Sequence, residues 1–320
     1  MYPLRRLPKV EKKPARKPFP PPPKRLPDRV SLYRKMGSSV TVCIAVKARM
    51  DHCIITVSDK RLSYGDELGA ADNAATKAHQ IGRRWGILWS ADDVSPVNEL
   101  LREIHYRLHD KPNADRSLVQ EIVCAAYNEA QQKAAVDRYL LRFGIHSVAE
   151  FRKTGLAEFG PEMFGQIMGE IGSFDLGVQL LVHGFSPPPF ESFLHIFEVR
   201  NPGISFDHNL EGYGVIGTGG SLALSSLMIR GGGFADFDDA VYRALEAKFA
   251  AETASGVGRA TTVEIHASNG TTTHLPTSAI GELRAVWEAA RKEGIPDEAS
   301  NIIDKHTKAL KNLLYGGPDT

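Results

Sequence analysis

Between Val40 and Val57, two runs rich in Val, Ile, Thr and Cys flank the polar segment KARMDH. Runs of this kind read as the arms of a β-hairpin, because β-branched side chains suit a pleated, half-buried surface and a charged segment suits a turn. A second hairpin follows, with arms at Lys77–Ile81 and Trp85–Trp89 joined by Gly82-Arg83-Arg84. Ser95-Pro96 then predicts a helix, with Ser as its cap and Pro at the first helical position, buried along Val97, Leu101, Ile104 and Leu108. A second helix near 115–135 places Leu118, Ile122, Ala125 and Ala126 on one face. Glycines at 144, 155 and 160 interrupt the next stretch, which predicts short helices forming an insertion over 136–173. Strands are expected at 178–185, 192–199, 213–220 and 260–267, and helices near 222–229, 237–251, 278–292 and 296–314, with Asp236 or Asp238 near the start of the second of these. Strands thus come in pairs, between pairs of helices, with no regular strand–helix–strand alternation. That order argues for two antiparallel sheets packed together and covered by helices, and pattern alone supports a mixed α/β or α+β class.

The 320 residues are 42% hydrophobic and 24% charged, ordinary for a folded domain. No apolar run reaches 18 residues and no secretory leader pattern opens the chain, so a cytoplasmic protein without a membrane span is expected. Cys43, Cys53 and Cys124 are odd in number and lack metal-ligand spacing, which argues for reduced, buried thiols. Charge is divided unevenly. Residues 1–35 carry 12 Lys and Arg against Glu11 and Asp28, and nine of the 19 prolines, while the remainder holds 27 basic against 36 acidic residues. A Pro-rich basic segment cannot bury enough apolar surface to offset its ordering entropy, so residues 1–38 are expected to be a disordered tail or leader. It could dock on an acidic partner, or Met36 could be the true start.

Several features carry ordinary structural explanations. Asp92-Asp93 suits a strand-to-helix turn. His52, His79, His183, His195 and His266 lie on expected strands or their turns without ligand spacing, and no metal or cofactor site is expected. The glycines at 231–233 lack the following Lys-Ser/Thr of a phosphate loop and read as a hinge or turn.

Six segments stand in a telling order: TVCIAV from Thr41, VSDKR with Asp59, ATK with Lys77, WSADD with Ser90, IGTGGS with Thr218 and ETASG with Glu252 and Ser255. Together they resemble the active-site pieces of proteasome β-type subunits, which are N-terminal-nucleophile hydrolases, and TVCIAV resembles the opening of the bacterial ancestral β-like members called Anbu. The resemblance covers roughly residues 40–135 and 174–275. It implies an α+β fold arranged as a four-layer αββα sandwich over 39–275, with the 136–173 insertion and C-terminal helices over 276–320. It also implies Thr41 as nucleophile, with Ser39 the alternative in a shifted register. Lys77 would tune the nucleophile, Asp59 would hold the lysine, and the N–H of Ser90 would serve as oxyanion donor. Ser90 stands where the family usually has glycine, Thr218 where it has serine and Glu252 where it has aspartate; Ser255-Gly256 are retained. Val40 replaces the glycine that usually precedes the nucleophile.

The implied activity is that of a threonine peptidase acting on peptides or unfolded protein. The amine of Thr41, freed by processing or by a later start, would act as base, and the protein would assemble as a homo-oligomeric ring. Two other readings stand beside it: a catalytically silent ring-forming or binding subunit, and an amidase acting on a small amide.

Overall fold

The computed structural model describes residues 41–49, 52–63, 70–71, 76–190, 193–229 and 236–292. The basic tail, Ser39, the glycines at 231–233 and the helix expected over 296–314 lie outside the described residues. The described chain is α+β, with two five-stranded antiparallel sheets, a short two-stranded pair and six α-helices.

Strands β1 (Cys43–Ala48) and β2 (Cys53–Asp59) form the first expected hairpin, with Cys43 opposite Ser58 and Ala48 opposite Cys53. His52, in the turn between them, has φ 47°. Strands β3 (Leu62–Ser63) and β4 (Ala70–Ala71) pair with each other. The second hairpin is β5 (Ala78–Gly82) with β6 (Trp85–Ala91), and its register shifts between Gln80 and Gly82 next to the turn. Then come β7 (Val178–Phe185), β8 (Leu194–Arg200), β9 (Ile204–Asp207), β10 (Tyr213–Ile216), β11 (Thr261–Ala267) and β12 (Thr272–His274). One sheet has the order β10-β1-β2-β11-β12 and the other β5-β6-β7-β8-β9.

Strand alternation sorts the core. On β1, Cys43 and Ala45 point one way, and with Ile54 of β2 they cluster against Leu88, Leu181, Leu194 and Ile196 of the other sheet. Val42, Ile44 and Val46, together with Ile55 and Val57, point the opposite way. They pack on helices α4 (Gly220–Ile229), α5 (Phe237–Ala251) and α6 (Thr277–Lys292) through Leu227, Ala244, Leu245 and Trp287. The second sheet likewise turns Ile87, Trp89, Leu180, Val182 and Phe197 toward α1 (Ser95–Leu108) and α2 (Arg116–Tyr139). Both β1 and β2 are buried along their whole length, as strands covered on both faces must be.

Local chemistry sets the helix ends. Ser95 does not cap α1: the N-cap is Val94, which makes no side-chain cap bond, and Ser95 lies inside the helix. The carboxylate of Asp93 instead accepts the Ser95 N–H at 2.8 Å, a stronger acceptor than a hydroxyl for a free helix donor. Asp115 caps α2 through Leu118 N–H, and Asp236 caps α5 through Asp239 N–H. The buried stripe of α2 runs through Val119, Ile122, Val123, Ala126 and Tyr127, so Leu118 and Ala125 sit at its edge. Beyond a 3-10 turn (Leu141–Phe143), helix α3 (Val148–Gly172) is kinked at Gly160 (φ 74°), where Pro161 removes a backbone donor. It packs on α2 around a separate cluster of Leu140, Ile145, Phe151 and Ile167.

Candidate active site

Thr41 precedes β1, Asp59 ends β2 and Lys77 precedes β5, so two different sheets deliver the three side chains to one point. Hairpin register explains the first pair: the Asp59 N–H donates to Val42 O at 3.2 Å, setting the end of β2 beside the start of β1. Lys77 is fixed by its own carbonyl, which accepts the Trp89 N–H at 3.1 Å. The Lys77 ammonium donates to Thr41 Oγ1 in a short hydrogen bond and to Asp59 Oδ1 at 2.7 Å. All three are nearly sealed, with exposures of 3% for Thr41, 0% for Asp59 and 1% for Lys77. A lysine cation tolerates such burial only when paired, and Asp59 supplies the countercharge. The second carboxylate oxygen of Asp59 accepts the Gly258 N–H at 3.2 Å.

Glycines carry the chain across the nucleophile. Gly217 has φ 91°, and a Cβ there would lie 2.4 Å from Thr41 O and 3.3 Å from Ser90 Oγ. Gly219 donates its N–H to Thr41 O at 3.0 Å, and Gln179 Oε1 accepts the Gly217 N–H at 2.8 Å. Only a residue without a side chain, free to take positive φ, lets this loop approach so closely. Ser90, 5% exposed on β6, therefore lies beside the loop that covers the Thr41 carbonyl, and Thr218 is exposed between the two glycines.

The ETASG segment sits differently from Thr41, Asp59 and Lys77. Glu252 takes Lys248 Nζ at 2.5 Å and is clasped by Arg284 at 2.5 and 2.8 Å. Lys248 is fully buried and also donates to Gly258 O at 2.8 Å. Burial pulls its pKa below the ordinary lysine value, against the opposing pull of Glu252. Ser255 is exposed on the turn after α5 and makes no hydrogen bond to Thr41, Lys77 or Asp59. The segment thus reaches the site through the Gly258 backbone. Lys248 and Arg284 were not expected from the sequence; the Lys248-to-Glu252 spacing of one helical turn was the available signal. Gly258 and Gln179 offered no comparable signal.

Cys43, one strand position inside the site, donates its thiol to Trp89 O at 3.4 Å. Burial pushes its pKa up to about 12 despite the nearby Lys77 charge, so it remains a protonated thiol.

No protein-family model matches the chain. No curated protein matches it either. Among solved structures, it is similar to a mutant of Anbu from Hyphomicrobium sp. strain MC1, with a TM-score of 0.56 and 12% identity over 79% of this chain and 95% of that one. At that identity the likeness is one of fold: the chain has the fold of Anbu, the relationship that its TVCIAV opening and the ordered Asp59 and Lys77 segments led us to expect.

Proposed function

We propose that the chain is a threonine-type N-terminal-nucleophile hydrolase that cleaves peptide bonds through Thr41. The observation that carries this reading is the Lys77 ammonium, buried and held by Asp59, donating to the Thr41 hydroxyl. A cation at that oxygen favours its ionised form as it attacks a carbonyl. The amine of Thr41, once free, takes the hydroxyl proton through a water and returns it to the leaving amine. Water then hydrolyses the resulting ester, and the Ser90 N–H serves the developing oxyanion. A free amine requires cleavage of the Val40–Thr41 peptide bond or a start at Thr41.

Three apolar clusters, one between the sheets and one beneath the helices on each side, favour a four-layer αββα arrangement for a hydrolase domain over 39–275. In this reading 136–173 is an insertion, 276–320 adds C-terminal helices, and the domain assembles as a homo-oligomeric ring acting on peptides or unfolded protein. The basic tail would recruit an acidic partner.

The test uses protein whose mature N-terminus is Thr41, confirmed by intact mass. It should hydrolyse short fluorogenic peptides and form a covalent adduct at Thr41 with a threonine-directed electrophile, while Thr41→Ala and Lys77→Ala should do neither. The near-complete burial of Thr41 favours a second reading, a silent assembly or binding subunit. Protein with a free Thr41 amine that is folded and oligomeric, yet neither labels nor cleaves, establishes that reading instead. Labelling at Ser39 in the longer chain would move the nucleophile two residues upstream.

A further inference from the structure

At the end of the sheets opposite Thr41 lies a cavity of about 210 Å³. Its walls come from the β5–β6 hairpin (Gln80, Arg83, Trp85), from β7 (His183) and from the β11–β12 hairpin (Glu264, His266). Strand β11 sets the separation: Thr261 pairs with Asp59 at the Thr41 end, and His266 stands five positions farther on, about 17 Å away at strand rise. The two hairpin turns meet at the rim, where Gly270 (φ 89°) lets Arg83 O come so close that a Cβ would lie 2.7 Å from it. Gly86 leaves room for the His183 ring, since a Cβ there would fall 2.6 Å from Cε1 and Nε2.

Three polar side chains, His183, Glu264 and Arg83, line this cavity, and one of them lacks a partner that a buried group normally acquires. His183 is 2% exposed, its Nδ1 has no hydrogen-bond partner, and its ring lies against His266 with centroids 4.3 Å apart. Burial, reinforced by His266, holds its pKa well below the ordinary value, so it is a neutral donor and acceptor. The carboxylate of Glu264, only 13% exposed, accepts no hydrogen bond from the described residues; imidazole nitrogens of His266 and His274 lie 3.4 and 3.8 Å from it. The guanidinium of Arg83 forms no ion pair among the described residues. A buried imidazole nitrogen is rarely left unpaired, and with the Glu264 carboxylate and the exposed Arg83 guanidinium on the same walls it describes a molecule that carries groups of both charges.

We propose that this cavity binds a small zwitterion, an α-amino acid or dipeptide, with its ammonium on Glu264, its carboxylate on Arg83 and a further polar group on His183. The volume equals that of about seven waters, which suits a molecule of that size. Isothermal titration calorimetry of the full chain with diglycine tests it, against N-acetyldiglycine, which lacks the ammonium, and diglycinamide, which lacks the carboxylate. Diglycine should bind saturably and each capped peptide at least about tenfold more weakly. Glu264→Gln should erase the preference over the acetylated peptide, and Arg83→Ala the preference over the amide. Arg83 lies on an exposed turn, so its variant keeps the test open if Glu264→Gln fails to fold. Thr41→Ala should leave binding unchanged. The proposal is overturned by absence of saturable heat, by capped peptides binding equally well, or by loss of binding in Thr41→Ala, which would place the ligand at the other end. Because no step requires catalysis at Thr41, a silent Thr41 site leaves the outcome unaffected.

Discussion

The backbone N–H of Gly258 caps the carboxylate of Asp59, 199 positions upstream, at 3.2 Å. Asp59 thereby has one oxygen held by main chain and the other by the Lys77 ammonium at 2.7 Å, so the lysine beside Thr41 is oriented by an acid that cannot itself swing away. The loop bearing Gly258 is in turn tied to Lys248, Glu252 and Arg284. A buried polar chain thus runs from α6 to the candidate nucleophile, and its links respond differently to substitution.

Asp59→Asn leaves a lysine cation buried without a countercharge and should destabilise the fold by about 3–5 kcal/mol. Lys77→Met strands the carboxylate and should cost a similar amount. The double substitution should cost less than the two together, because each single change includes the penalty of the orphaned partner. Urea unfolding of the four proteins measures this; strict additivity would mean that the pair is not coupled.

Gly217→Ala should be damaging for two reasons at once. Its φ of 91° strains any Cβ, and that Cβ would press on the Thr41 carbonyl at 2.4 Å. A loss of about 1–3 kcal/mol is expected, with loss of electrophile labelling at Thr41. Gly144→Ala is the control, since its φ is 74° but no atom lies within 4 Å of the added methyl. It should cost less and leave labelling intact, and equal effects on labelling would remove Gly217 from the site.

Lys248→Met should loosen the Gly258 loop by removing the donor to its carbonyl, while Arg284 continues to hold Glu252. We expect a loss of about 1–3 kcal/mol in thermal or urea unfolding. Slower labelling of Thr41 should accompany it, because Asp59 loses a fixed cap. Unchanged labelling in a folded variant would show that the loop holds its place without Lys248.

His195 should contribute to acid sensitivity. Burial, followed by the Lys47 and Arg116 charges, lowers its pKa from 6.5 to about 4. Between those values the unfolded chain binds a proton that the folded chain refuses, so stability should decline as pH falls from 6.5 toward 4 and change no further on this account below it. Unfolding midpoints for wild type and His195→Phe across that range check the sign; the variant, which retains an aromatic ring against Trp85, should show a shallower slope. An unchanged slope would mean that His195 is not a significant acid sensor.

Much of the fold was readable because its signals are local. The alternating residues of TVCIAV and CIITV state which side chains face each way, and the apolar spacing of Val97, Leu101, Ile104 and Leu108 marks a helix stripe wherever it packs. Thr41, Asp59 and Lys77 were readable as a set through the order of their segments. The start of α1 was misjudged because Ser95 and Asp93 both suit a helix entrance, and the charged acceptor took the donor. Glu252 was matched to the family's aspartate by the order of the segments, but nothing local showed that two cations, one of them on a distant helix, would hold its carboxylate.

The sequence alone determined the periodicities, and through them the hairpins, most helices and the buried faces, since each depends on residues within a few positions of one another. Tertiary structure alone decided which long-range partners would satisfy the buried charges: Gly258 for Asp59, Arg284 for Glu252, and none among the described residues for the Nδ1 of His183. The physical reason is that a charge or imidazole buried in a low-dielectric interior is stabilised by the geometry of whatever backbone and side chains surround it, and sequence separation places no limit on that choice.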